Sequence, residues 1–200
     1  MNVITSIAEL ESLYGETVQG ALTKVQSAIT PQYKRWINQS RFLILTTVGT
    51  EGTDASPRGD INNVVRIIDE CTLWLPDWRG NNRIDSLRNI VSDGRISLLF
   101  MVPGSNNVVR INGTALLTVN ASVTGTFEHG SKTPKSVIVV TVQEVYFQCA
   151  KALMRSRLWN SEDESEMIPT AGEFLREVES DFNAENYDQE YPDYAKDRMW

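Results

Sequence analysis

The chain uses two hydrophobic rhythms in turn. Near its start, apolar residues recur at helical spacing: Ile4, Ile7, Ala8 and Leu10 share one side of a segment ending at Leu13, and Leu22, Val25 and Ile29 mark a second over 18–29. Ser6 is placed to cap the first. Pro31 suits the first position of a third helix over 32–39, which carries Tyr33 and Trp36. These residues, 1–40, predict a helical cover over one side of a sheet. From Arg41 the pattern becomes short runs of strand formers separated by turn residues. Strands are predicted over 41–48, 53–56, 64–68, 72–75, 95–101, 108–119 and 136–148, with Pro57 ending the second and Asn112-Gly113 a possible bulge. One helix, about 82–91, interrupts them, with Asn81 or Asn82 as its cap. A weakly patterned stretch, 120–134, reads as a loop with a short helix. After 148 a basic helix over 149–159 and a helix over 169–182 are predicted, and the aromatic residues of the remaining tail suggest that part of it docks.

Six to seven strands joined mostly by short turns favour an antiparallel barrel with peripheral helices over a parallel doubly wound sheet. The expected organisation is a single domain spanning 1–200, with a barrel over 41–148 and C-terminal helices and an acidic tail over 149–200. No apolar run is long enough to span a bilayer. The N-terminus lacks a signal-peptide layout, and Cys71 and Cys149 are too few for a disulfide framework, so a cytoplasmic protein is expected.

Charge narrows the partners. The net charge of -7 argues against a general nucleic-acid binder. It is uneven: residues 161–200 hold thirteen acids and three bases, leaving the body mildly basic. Within the body, seven of the thirteen arginines and none of the six lysines fall between Asp54 and Gly113. Arginine grips phosphate oxygens with a planar, permanently charged fork. The polar loop 78–82 runs into a helix N-terminus, where free N–H groups and the helix dipole favour an anion. Arg79 and Arg83 flank that point, and Ser86 lies one turn further in. Arg58 and Arg66 lie on neighbouring predicted strands, and Arg66 interrupts an apolar run, as a residue facing either a polar pocket or solvent would. The competing reading is that these arginines only pair with Asp60, Asp69, Asp77 and Asp85 and hold no cofactor. The single histidine, His129, excludes a three-histidine metal site and sits in a loop-like setting where exposure is expected. There is no glycine-rich dinucleotide fingerprint and no Walker phosphate loop.

Ordered blocks carry a resemblance. They are Ala55-Ser56-Pro57-Arg58-Gly59-Asp60, then Pro76-Asp77, Gly80-Asn81-Asn82-Arg83, Asp85-Ser86-Leu87, Arg110-Ile111-Asn112-Gly113, Cys149-Ala150-Lys151-Ala152 and Arg155-Ser156-Arg157-Leu158-Trp159. In these the chain resembles the pyridoxamine 5'-phosphate oxidase-like flavoproteins, and a bacterial subgroup of them in particular. The resemblance implies a mainly β protein, a six-stranded antiparallel split β-barrel that forms a homodimer with FMN at the subunit interface. It implies FMN contacts from Arg66, Asn82, Arg83 and Ser86, with Arg58 nearby and the backbone at Asp77 and Trp78 along the flavin. Lys151, Arg157 and Trp159 would approach the flavin, often from the other subunit, and Arg110 or Lys151 would face its N1–O2 edge. The implied activity is an FMN-dependent oxidoreductase acting on a small molecule. Pyridoxamine phosphate is not the expected substrate, because the arginine- and histidine-containing end segment of the true oxidases has no counterpart here. The alternatives are a flavin-storing or flavin-sensing protein without turnover, and a relative on the same fold that binds F420 or haem.

Overall fold

A computed structural model describes residues 1–160 and 162–200. Ser161, where the acidic tail begins, lies outside the described residues. Seven strands form one antiparallel sheet: β1 (Phe42–Gly49), β2 (Gly52–Gly59), β3 (Arg66–Ile67), β4 (Thr72–Asp77), β5 (Arg95–Met101), β6 (Val108–Thr118) and β7 (Ser136–Gln148). Their order is β2-β1-β5-β6-β7-β4-β3, so β2 and β3 are the edges and the ladder is not closed. The count agrees with the six to seven read from the hydrophobic pattern and exceeds the six that the resemblance implies, because the two-residue β3 joins as an edge strand beside β4. Around the sheet lie α1 (Ile7–Tyr14), α2 (Gln19–Thr23), α3 (Pro31–Ile37), α4 (Asp85–Ser92), α5 (Ala121–Thr124), α6 (Lys151–Ser156), α7 (Ala171–Val178) and α8 (Ala184–Lys196).

Alternation along the strands builds the core. Leu43 and Leu45 of β1, Ile96, Leu98 and Phe100 of β5, and Leu73 and Leu75 of β4 all point to one buried side and join one hydrophobic cluster. On β7 the inward phase runs through Ile138, Val140 and Val142, then slips by one to Val145. The slip is a bulge: Asn112 faces Glu144 but Gly113 faces Val142, which leaves Gln143 as the extra residue. Gly113 is required there, since a Cβ on it would lie 2.0 Å from the Thr141 carbonyl oxygen.

Several elements differ from the sequence-based expectation. The helical cover is thinner: α1 and α2 bury no residue, and only α3, through Ile37, Tyr33 and Trp36, reaches the core. The strand expected over 64–68 shrinks to β3, although Val64 and Val65 are buried. Pro57 does not end β2, which continues to Gly59; an edge strand tolerates a residue that cannot donate to a ladder. The last helix, α8, forms over residues whose dense acids and internal Pro192 hide its periodicity.

Candidate functional site

The site is built on the polar face of edge strand β2. Asp54, Ser56, Arg58 and the following Asp60 recur at a spacing of two, so they project from one side. Three of them tie β2 to its neighbours. Asp54 accepts a hydrogen bond from the Ser86 hydroxyl at the start of α4. Arg58 donates to Asp77 at the end of β4 over 2.5 Å, with only 19% and 16% of the two side chains exposed. Asp60 accepts from the Trp78 indole N–H at 3.3 Å. Helix α4 is held against β1 from the other side: Asn89 donates to the Thr47 hydroxyl at 3.0 Å, and Ile90 is buried.

These ties leave a cleft of about 520 Å³ between β2, the end of β4, the loop 78–84 and the first turn of α4. Lys135 and Ser136 close one side and Met199 another. The cations along it are Arg58, Arg79, Arg83 and Lys135, and the acids are Asp54, Asp77 and Asp85, a balance of one positive charge. Arg83 is paired with the adjacent Asp85 at 2.5 Å and is largely exposed, so it is free to swing. Arg58 is the opposite case. Asp77 fixes it, and its Nε–H is buried with no hydrogen-bond partner.

The loop that enters α4 is also unusual. Neither Asn81 nor Asn82 caps the helix; the N-cap is Ile84, with no side-chain cap hydrogen bond. Asn81 instead accepts from the Arg83 backbone N–H at 3.0 Å. Asn82 and Ile84 both lie in the left-handed region, with φ of 61° and 53°. For a β-branched residue that conformation costs on the order of 1–3 kcal/mol and persists only where its surroundings over-determine it. The uncapped first turn of α4 therefore faces the cleft at the point where the backbone is strained.

A second cleft of about 500 Å³ adjoins the first, with Trp78 in the wall of both. Here Arg66 donates to the Thr126 carbonyl at 2.8 Å and lies over the Phe127 ring, 4.5 Å from its centroid. His129, expected to be an exposed loop residue, is half-buried, stacked against Trp200 and part of this cleft.

Of the residues singled out by sequence, Arg58, Asp77, Trp78, Asn82, Arg83 and Ser86 come together in the first cleft, and Arg66 joins Trp78 in the second. Ser86 is buried and committed to Asp54. The remaining four line neither cleft. Arg110 lies over the Tyr146 ring at 5.5 Å. Lys151 and Arg157 are exposed at the two ends of α6, and Trp159 donates its indole N–H to the Ser105 carbonyl at 2.7 Å. The ion-pair reading holds in part: Asp77 and Asp85 do pair with arginines, whereas Asp60 bonds Trp78 and Asp69 accepts the Cys71 backbone N–H. Sequence reasoning missed Lys135 and Met199, and it expected the aromatic tail to dock without placing Trp200 in a cleft. The period-two polar face of β2 was a legible signal; Lys135 and Met199 carried none. No group of three or more metal-ligating side chains is assembled among the described residues, and no helix among them is long and apolar enough to cross a membrane.

Comparison with known proteins places this geometry in context. A family model described as pyridoxamine 5'-phosphate oxidase matches residues 29–149, which includes every strand and both clefts' strand-borne residues. Among solved structures, a HupZ variant from Group A Streptococcus is 20% identical, with 60% of this chain and 99% of that one covered and a TM-score of 0.50. A candidate pyridoxamine 5'-phosphate oxidase from Lactobacillus delbrueckii is 17% identical, with 60% and 95% covered and a TM-score of 0.49. At 20% identity the likeness to the HupZ variant is one of fold alone. No curated protein matches the chain.

Proposed function

The chain belongs to the pyridoxamine 5'-phosphate oxidase family, and on that premise we propose that it is an FMN-dependent oxidoreductase acting on a small molecule. The observation that carries the cofactor assignment is the buried, unpartnered Nε–H of Arg58 beside the uncapped N-terminus of α4. A phosphate monoester satisfies both. It accepts from the guanidinium, and it sits where the first-turn N–H groups and the helix dipole favour negative charge. The cleft's volume falls within the range of ordinary cofactor sites, about 300–1,000 Å³, and its one excess positive charge suits an anionic ligand.

In this reading Arg58 is the fixed phosphate ligand, because Asp77 holds it in place before anything binds. Arg83 and Lys135 are the mobile ones. Lys135 lies 3.4 Å from the Asn82 side-chain oxygen and closes over the loop. Trp78, tethered by Asp60, gives the ring system an apolar wall at the junction of the clefts. Bound there, FMN supplies the hydride or electron transfer, and the protein supplies position, electrostatics and exclusion of water. A second copy of the chain is proposed to bring Lys151, Arg157 and Trp159 toward the flavin, since α6 leaves these residues away from the clefts of its own chain. Arg110, which also lies away from both clefts of its own chain, or Lys151 is proposed to reach the flavin's N1–O2 edge from that second copy.

The test is a comparison of FMN with riboflavin in a fluorescence titration. If the phosphate is held as described, FMN binds at least about 100-fold more tightly, the worth of two charge-assisted hydrogen bonds at about 1.5–3 kcal/mol each. Equal affinities would remove the phosphate cradle. Anaerobic reduction of the loaded protein by a nicotinamide donor then separates an oxidoreductase from a flavin-storage protein.

A further inference from the structure

Trp78 and His129 form two held platforms. Trp78 is tied to Asp60. His129 sits on a tight turn whose ends are joined by two backbone hydrogen bonds to Lys132, of 3.0 and 3.1 Å, with Gly130 at φ 62° between them. Trp200 lies between the platforms. Its ring stacks on His129 with centroids 4.2 Å apart and planes at 22°, and meets Trp78 edge-on at 5.1 Å and 88°. These are favourable arrangements for aromatic pairs. The segment after α8 that carries Trp200 is lightly tethered. Lys132 donates to the Asp197 carbonyl at 3.1 Å, while Arg198 lies over Tyr194 on the same helix. An aromatic slot with rigid walls thus holds a side chain on a weak leash.

We propose that Trp200 is an intramolecular occupant of the second cleft, an autoinhibitory contact that a planar aromatic ligand must displace. The walls fix the chemistry of the competitor. It stacks on an imidazole, meets an indole edge-on and reaches Arg66, which has used one of its five N–H donors on Thr126. A ring too thick or too crowded to enter between Trp78 and His129 does not compete. The contact is formed by this chain's residues alone, and its test needs no FMN.

The single histidine makes the test unambiguous, since one imidazole Cε1–H resonance reports it. In the 200-residue protein the stacked indole shifts that resonance upfield by ring current. Trp200→Ala, and Trp200→Leu as an apolar control for folding, both return it toward the free value; an unchanged resonance in either folded variant overturns the contact. Indole, the isolated chemistry of the displaced side chain, is then titrated into each protein. It restores the upfield shift in Trp200→Ala and binds the parent about tenfold more weakly, as expected if the tail occupies the slot about nine-tenths of the time. Equal affinity for parent and variant, or no restoration in the variant at millimolar indole, overturns the proposal.

Discussion

Replacing Arg58 with alanine separates what holds the cleft together from what the cleft holds. The Arg58–Asp77 pair is about four-fifths buried on both sides. Breaking a fully buried pair costs about 3–5 kcal/mol because the surviving charge is stranded, and an exposed pair contributes about 0–1 kcal/mol. Between these limits, Arg58→Ala costs about 2 kcal/mol. In a chain of 200 residues that lowers Tm by about 4–8 °C. Most of the cost comes from the Asp77 carboxylate, so the double variant Arg58→Ala, Asp77→Asn regains much of the lost stability. FMN affinity behaves differently. Loss of one charge-assisted hydrogen bond, about 1.5–3 kcal/mol, weakens binding about 10–150-fold, and the second substitution does not restore it. Urea denaturation measures the first quantity and flavin fluorescence titration the second. A double variant as unstable as the single one would refute the stranded-carboxylate argument. Undiminished FMN binding in folded Arg58→Ala would refute the assignment of its free N–H to phosphate.

Two further predictions concern the frame. Gly113→Ala places a methyl group 2.0 Å from the Thr141 carbonyl oxygen, so the β6–β7 bulge must open; the expected loss, about 1–3 kcal/mol, is read from the denaturation midpoint, and no loss would mean that the bulge has room. At the turn before β5, Arg95 donates through its side chain and backbone N–H to Asp93 and holds its carboxyl down at about 2. Folding therefore favours the charged carboxylate, so the pair's contribution is present above the ordinary value of 3.8 and fades as pH falls toward 2. The stability gap between the parent and Asp93→Asn should close between pH 5 and pH 2, and a gap constant over that window would contradict it.

Much of the sheet was legible because burial wrote itself into the sequence. Residues 136–148 are rich enough in β-branched strand formers that β7 has the predicted bounds, and the Asn112-Gly113 pair marked the bulge that Gln143 completes. The arginine-lined part of the first cleft was legible through the clustering of arginines around a loop entering a helix. What failed was information held outside local pattern. The cap of α4 is an isoleucine in a left-handed conformation, whereas the rule for side-chain caps pointed to Asn81 or Asn82. Lys135 reaches the first cleft only through tertiary placement, and nothing in its neighbouring residues announces it, whereas the aromatic tail suggested docking without saying where Trp200 would go. Arg66, grouped with the phosphate residues on sequence grounds, faces the second cleft because β3 is the opposite edge of the sheet from β2.

The most direct test of the central claim is the visible absorption spectrum of the purified protein, with the mass of whatever heat releases from it. The account predicts a flavin spectrum and the mass of FMN, or, for protein isolated without cofactor, recovery of that spectrum on adding FMN. A colourless protein that fails to bind added FMN would contradict it, leaving the antiparallel sheet and the family in place and the cofactor assignment without support.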